Sequence, residues 1–186
     1  MRETALAVGE VMSDLGMTGY PKTSGLTGLH ILAPIKPELE FPEVRRFAKG
    51  LAERVEQRVP GIATTTWRVA DRDGVFIDFG QNARDHSTAT AYSIRPTSDA
   101  RVSAPLSWHE VGDVDPSRFT LTSMRERVAR AGDPSAGMWR RKVSLLSRFE
   151  RLEPEPPDPD APPRRRRRSR RRTPGDDAGT RRRRRR

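Results

Sequence analysis

Cysteine is absent from this chain of 186 residues, which excludes disulfide bonds, thiolate zinc sites and a cysteine nucleophile. Long apolar runs are also absent, because none approaches the roughly 18 residues that a membrane-spanning helix needs. Glu3 and Glu10 lie where a signal peptide would need its apolar segment. We therefore expect a soluble, cytoplasmic protein without a membrane partner.

The positive charge is concentrated at one end of the chain. The formal net charge is +11, of which residues 153–186 carry +8 and residues 1–152 carry +3. The end segment has a proline- and acid-rich spacer, then arginine blocks, and too few apolar residues to offset its ordering entropy. We expect a folded region at 1–152 and a disordered tail at 153–186. Attraction to nucleic-acid phosphates explains the tail, but so does a solvated charged end or GC-rich coding, given 32 arginines against 4 lysines.

Residues 1–152 mix helix and strand patterns. Apolar residues at helical spacing predict helices at 3–16, ending at Gly16, and at 42–59, beginning at Pro42. Short strands are predicted at 20–23 and 29–33, joined by a loop at 24–28. Further strands are predicted at Val69 and at 75–79, turning at Asp73-Gly74 as a hairpin, and at 91–95. Ser-x-x-Glu capping boxes at Ser107 and Ser123 predict two more helices, so the fold class is α+β.

Two short segments hold candidate binding residues. The loop between the first two strands contains Ser24, Gly25 and Gly28 and is followed by His30. Its glycines let backbone N–H groups approach an anion, and the serine and histidine are further donors. An ordinary hairpin loop with a half-buried histidine explains the same residues. Asp78, near the end of a predicted strand, is a candidate ligand for a divalent cation, or an acid that protects a sheet edge.

The order of these motifs resembles the primase-polymerase domain of bacterial ligase D, a member of the archaeo-eukaryotic primase superfamily. The resemblance covers residues 3–152. It is carried by short segments in the order Ser24-Gly25, Gly28-Leu29-His30, Asp78, Gln81-Asn82-Ala83-Arg84, Ala91-Tyr92-Ser93-Ile94-Arg95-Pro96 and Val102-Ser103-Ala104-Pro105-Leu106-Ser107-Trp108. We expect a partial primase-like catalytic core of mixed α/β architecture.

The resemblance implies template-dependent nucleotide addition at DNA ends during non-homologous end joining, with Mn²⁺ or Mg²⁺ as cofactor. It implies that Ser24, Gly25, Gly28, His30 and Arg95 bind the nucleotide phosphates and that Asp78 is a catalytic metal ligand. Further pocket residues would be Lys22, Gln81, Asn82 and Arg84. The implied partners are DNA ends and nucleoside triphosphates, with a Ku-type end-binding protein or a separate ligase chain. The implied location is the nucleoid.

The chain departs from the family in one respect that affects the chemistry. The family's Asp-x-Asp pair, expected before the first helix, does not occur before Ser24. Asp71-x-Asp73 and Asp158-x-Asp160 have the spacing, but they lie in a predicted turn and in the predicted spacer. We therefore expect an N-terminally truncated domain with two of three metal carboxylates missing, unpartnered apolar helix faces and weak or no polymerisation.

Three interpretations of this departure remain open. The chain is a degraded remnant of an end-joining polymerase, or a non-catalytic module that binds DNA through its arginine-rich tail. In the third interpretation it is part of a split enzyme whose missing aspartates come from another polypeptide.

Overall fold

The computed structural model describes residues 1–152, and the predicted spacer and tail at 153–186 lie outside the described residues. The helices and strands of this region are α1 (Arg2–Asp14), β1 (Tyr20–Thr23), β2 (Leu29–Leu32), α2 (Phe41–Arg58), β3 (Ala63–Thr64), β4 (Val75–Phe76), α3 (Trp108–Val111), α4 (Leu121–Ala131) and α5 (Leu146–Leu152). Short 3-10 helices lie at Val69–Asp71, Phe79–Gln81, Pro116–Arg118 and Met138–Arg140. The predicted α+β class is confirmed.

Helix α1 forms as the apolar spacing predicts. Val11 on its inner face and Leu15, which follows its last residue, are almost fully buried. Gly16 has φ +65, a left-handed conformation that ends a helix at little cost for glycine. The next turn is closed by a hydrogen bond from Met17 N to Met12 O at 2.8 Å, and the chain then turns into β1.

Helix α2 provides the other main face of the core. A reciprocal capping box between Glu40 and Glu43 starts it, and a proline in the first turn has no N–H that would need a partner. Phe47 and Val55 are buried against α1, and Phe47 meets Phe149 of α5 edge-on with ring centroids 5.2 Å apart. A second, smaller cluster around Ala5, Leu106 and Val111 fixes α3 against the start of α1.

The first sheet pairs β1 and β2 antiparallel, with Lys22 opposite His30. The other side of β1 bonds to residues 104–106, through Thr23 N to Ala104 O and Leu106 N to Pro21 O, both at 2.9 Å. Strand β1 therefore lies between β2 and a segment about 80 residues further along the chain. The predicted strands and connecting loop are confirmed here.

The predicted hairpin around Asp73-Gly74 is wrong. Val69 lies in a 3-10 helix, and β4 pairs in parallel with β3 instead of folding back on a neighbouring strand. Gly74 has φ +91, and a Cβ there would lie 2.6 Å from Ile62 O. The glycine therefore permits close approach to the chain before β3. A tight turn and a close backbone approach favour glycine equally, so the local sequence does not separate them.

Two further element predictions need correction. Residues 91–95 form no strand, because Tyr92 has φ 66, and only an isolated bridge joins Ile94 to Val102. Helix α4 begins at Thr120, which accepts a hydrogen bond from Ser123 N, so Ser123 occupies the third position rather than the cap. The capping box at Ser107 is confirmed at the start of α3. In residues 1–152, no helix combines the length and the apolar character required to cross a membrane.

Candidate nucleotide-binding site

A cavity of about 840 Å³ opens between α1, β2, α2 and the segment after β4. One wall consists of apolar side chains from the two helices, among them Val8, Met12, Val44, Ala48 and Leu51. The polar side chains that line the cavity include Ser24, His30, Asp78, Gln81, Asn82 and Arg95. Most of the predicted site residues are thus brought to one cavity, although nearly 60 residues separate Ser24 from Asn82 along the chain.

The loop between β1 and β2 is held by its own serine. Ser24 Oγ accepts hydrogen bonds from the N–H groups of Leu26 and Gly28, each at 3.1 Å, which leaves the hydroxyl hydrogen free to donate. Gly25 has φ +75, and a Cβ there would collide with Cγ of Arg95. Glycine at this position therefore lets the loop pack directly against Arg95. The loop therefore needs a serine to accept its backbone N–H groups and a glycine to pack against Arg95.

Three basic groups meet beside this loop. Lys22 Nζ lies 3.0 Å from His30 Nδ1, and Arg95 is close enough to lower the pKa of both groups. Burial is the main cause in each case: it lowers the pKa of Lys22 to about 8 and that of His30 below its ordinary value. Nε of Arg95 is buried and has no hydrogen-bond partner among residues 1–152. Such an unpaired donor in a positive environment favours an anionic ligand.

Two residues of this cluster escape sequence reasoning. Ser103 and Thr23 are fully buried, and Ser103 Oγ lies 2.5 Å from Lys22 Nζ. Thr23 Oγ1 donates to Val102 O at 3.1 Å and accepts from Ala104 N at 2.9 Å. These bonds join β1 to residues 102–104. Ser103 lies in a segment that carries the family resemblance, but no local pattern predicts the contacts of either residue, because each depends on a partner about 80 positions away. We call Lys22, Thr23, Ser24, His30, Arg95 and Ser103 the phosphate corner.

Asp78 lines the same cavity, is exposed, and lies near enough to His30 to favour its protonated form. Its carboxylate caps the 3-10 helix Phe79–Gln81 by accepting from Gly80 N at 3.0 Å and from Gln81 Nε2 at 3.2 Å. Asn82 Nδ2 donates to Phe79 O at 3.1 Å. The strand that was predicted to extend to Phe79 ends at Phe76. We call Asp78, Gln81 and Asn82 the carboxylate corner.

The carboxylate corner does not fit a pair of divalent cations. Asp78 is the one carboxylate that lines the cavity, and residues 1–152 contain no group of three His, Asp or Glu side chains able to hold a metal ion. Asp71 and Asp73 do not line the cavity, and Asp158-x-Asp160 lies outside the described residues. A single carboxylate does not offset the mutual repulsion of two close divalent ions.

Of the remaining predicted site residues, Gly28 lines the cavity and the others lie around it. Lys22 is buried behind His30, and Gly25 lies behind the loop against Arg95. Gly28 lines the cavity through its backbone. Arg84 is exposed and does not line the cavity.

Comparison with known proteins shows the family to which the chain belongs. The family described as "LigD, primase-polymerase domain" matches residues 1–135. The multifunctional non-homologous end joining protein LigD of Mycobacterium bovis is 34% identical over 134 residues, which is 72% of this chain and 18% of that protein. The bifunctional LigD of Bacillus subtilis is 31% identical over 133 residues, 70% of this chain and 22% of that protein.

A solved structure supports the same fold. The polymerase domain of Mycobacterium tuberculosis ligase D in complex with DNA has a TM-score of 0.68 and 31% identity, over 76% of this chain and 50% of that domain. The chain therefore spans about half the length of the solved domain and about a fifth of the curated relatives. The match over most of the chain and the shared fold show that this protein belongs to the LigD primase-polymerase domain family.

Proposed function

We propose that residues 1–152 bind the triphosphate of an incoming nucleotide for a primase-polymerase that adds nucleotides at DNA ends in non-homologous end joining. The observation that carries the proposal is the phosphate corner, where the cations Lys22 and Arg95 meet beside His30. Among residues 1–152 the cavity has a single carboxylate, Asp78, to set against them. A buried cluster of like charges is costly unless an anion neutralises it. The arginine Nε without a partner points to the same class of ligand.

The phosphate corner suits what nucleotide transfer asks of a protein. Such a transfer depends mainly on in-line positioning and on neutralising the charge of the phosphates. We assign Ser24 Oγ, the backbone of Gly25 and Gly28, His30 and Arg95 to phosphate binding. We place Gln81 and Asn82 at the edge of the pocket and Arg84 outside it.

Catalysis by this chain alone is proposed to be weak. The family's Mn²⁺ or Mg²⁺ would stabilise the charge that develops during transfer, and Asp78 is the residue that would hold such an ion. Loss of metal stabilisation removes several kcal/mol from the transition state, or about a thousandfold in rate. We expect binding of nucleotide with little or no extension of a primer.

The proposed partners follow from the family and from charge. DNA ends are proposed because the solved relative is a complex with DNA. A Ku-type end-binding protein and a separate ligase chain are proposed as further partners, with action at the nucleoid. Residues 153–186 are proposed as a separate segment that adds sequence-independent attraction to phosphates.

The test measures nucleotide binding and primer extension on the same purified chain. Titration with a fluorescent ATP analogue is expected to show binding that His30→Ala weakens about tenfold or more and that His109→Ala leaves unchanged. His109 is a matched control, because it is exposed on α3 and lies outside this cavity. Equal binding by wild type and His30→Ala, or no binding by wild type, would contradict the proposal.

Extension of a labelled primer-template with Mn²⁺ and all four ribonucleotides then tests catalysis. We expect no product above that of the Asp78→Ala variant. Robust extension that Asp78→Ala abolishes would show that a metal is held without further carboxylates.

A non-catalytic DNA-binding role is the second candidate. It is favoured by the carboxylate corner, where Asp78 is already engaged in capping a helix. Anisotropy of labelled DNA across a salt series distinguishes the two functions. DNA binding with no ATP binding would favour this second candidate over the first.

A further inference from the structure

We propose that Lys22 is a positioning residue that holds His30 in the neutral tautomer with its proton on Nε2, so that this N–H is presented to an anion in the cavity. The inference deepens the proposed function and rests on it for the identity of the anion, a nucleotide triphosphate. Its own content is a hydrogen-bond chain from the protein interior to the cavity, through Thr23, Ser103, Lys22 and His30.

The central member of this hydrogen-bond chain is the buried Lys22, whose amine has three neighbouring polar atoms. Lys22 is only 2% exposed. Its Nζ lies 2.5 Å from Ser103 Oγ, 3.0 Å from His30 Nδ1 and 3.4 Å from Thr23 O. A protonated amine has three hydrogens and no lone pair, so it donates in every hydrogen bond. The three neighbours match the three donors of the ammonium group.

The direction of the bond to Ser103 is fixed independently. Ser103 Oγ donates its hydrogen to Thr23 O at 2.7 Å, so its lone pairs face Lys22. The two other neighbours of Lys22 Nζ, Ser103 Oγ and Thr23 O, both accept, as a protonated amine requires. The bond to His30 therefore runs from Nζ to Nδ1, and Nδ1 has no proton.

The consequence lies on the other side of the imidazole ring. With Nδ1 accepting, the neutral ring has its proton on Nε2. His30 lines the cavity while Lys22 is buried behind it, so Nε2 is the nitrogen left for a ligand. Burial and the charges of Lys22 and Arg95 lower the pKa of His30 against the opposing effect of Asp78, which keeps the ring neutral near pH 7.

The tautomer of His30 would not be fixed if Lys22 were absent. Free neutral imidazole exchanges between its two tautomers, and the Nδ1–H form would present a lone pair to a phosphate oxygen. Lys22 removes that repulsive form from the population, so less of the binding free energy is spent on selecting the tautomer. The lysine thus acts on the ligand through His30.

The test reads the tautomer directly by long-range ¹H–¹⁵N NMR on the histidine-labelled full chain, with His30→Gln to assign the ring. In the wild type we expect an Nε2–H tautomer for His30 near pH 7. In Lys22→Met, which keeps a long apolar stem, we expect a mixture of tautomers and ATP-analogue binding weakened about fivefold. The matched control Lys49→Met removes an exposed lysine of α2 and should change neither result.

A variant of Ser103, which precedes Lys22 in the hydrogen-bond chain, distinguishes the positioning of His30 from a general effect on packing. Ser103→Ala removes one acceptor of Lys22 but keeps the bond to Nδ1, so the Nε2–H tautomer should persist. An Nδ1–H tautomer in the wild type overturns the proposal without any variant, as does an unchanged single tautomer in Lys22→Met. If the tautomer follows Lys22 but no form binds the ATP analogue, the positioning role stands and the proposed nucleotide function fails.

Discussion

The two corners of the cavity are built in different ways. In the phosphate corner, Lys22, Thr23 and Ser103 are buried and their hydrogen bonds join segments about 80 residues apart. In the carboxylate corner, Asp78 is exposed, and its hydrogen-bond partners in the described part of the chain lie within its own turn. The proposed anion binding would therefore rest on a preorganised interior, whereas cation binding would rest on one exposed side chain. We expect these two proposed functions to be separable.

Burial explains the difference. A polar group taken out of water needs partners in fixed positions, so a buried network is either complete or strongly destabilising. An exposed carboxylate has water as an alternative partner and imposes no such requirement. Substitutions in the phosphate corner should therefore affect the whole fold, and those in the carboxylate corner should have local effects.

The largest expected effect is a pH dependence caused by Lys22. Its pKa is lowered from 10.5 to about 8 on folding, so between these values the unfolded chain binds the proton and the folded chain does not. The stability of the wild type should therefore rise with pH across this window by about 3 kcal/mol relative to Lys22→Met, at about 1.4 kcal/mol per pKa unit.

Urea unfolding of both proteins at several pH values measures this difference. Subtracting the Lys22→Met curve removes the titration of other groups. If the two stability curves were parallel from pH 7 to 11, folding would not lower the pKa of Lys22. The contrast between a buried phosphate corner and an exposed carboxylate corner would then be wrong.

The second expected effect concerns the link between β1 and residues 102–104. Thr23→Val keeps the shape but leaves Ala104 N and Val102 O without their partner Oγ1, at a cost of about 2 kcal/mol of unfolding free energy. Thr27→Val, in the adjacent loop, is the control and should change stability by less than about 0.5 kcal/mol, because Thr27 is exposed. Equal denaturant midpoints for the two variants would show that the hydrogen bonds of Thr23 Oγ1 do not stabilise the fold.

The smallest expected effect is that of Asp78→Asn. The amide oxygen still accepts from Gly80 N, so the unfolding free energy should change by less than about 1 kcal/mol. Binding of the ATP analogue in EDTA should be unchanged or about twofold tighter, because a negative charge facing the phosphates is removed. Isothermal titration calorimetry measures both affinities. Clearly weaker binding in EDTA would assign Asp78 to phosphate recognition and remove the distinction between the corners.

The parts of the fold that sequence reasoning found are those with local signals. Helices α1 and α2 follow from apolar spacing together with Gly16 and Pro42, and the capping box at Ser107 starts α3. The loop from Ser24 to Gly28 also follows from its composition. In each case the signal and the structure it specifies lie within a few residues of each other.

The errors occurred where distant segments decide the structure. The chain around Gly74 approaches residue 62 and places β4 beside β3, although Asp73-Gly74 is typical of a hairpin. The register of Thr120 rather than Ser123 at the start of α4 places Met124 in the core beside Val102 and Ala104. Local residues were compatible with both outcomes, and packing selected one.

The sequence by itself determined helices α1 and α2, the start of α3, the glycine-serine loop, the concentration of arginine at one end and the family to which residues 1–135 are matched. Only the tertiary structure decided that Lys22 is buried between His30 and Ser103, and that Asp78 is the one carboxylate from residues 1–152 at the cavity. The physical reason is that spacing along the chain specifies which face of an element a side chain occupies. The partners of a buried charge, here 8 and 81 residues away, are specified only when the elements pack.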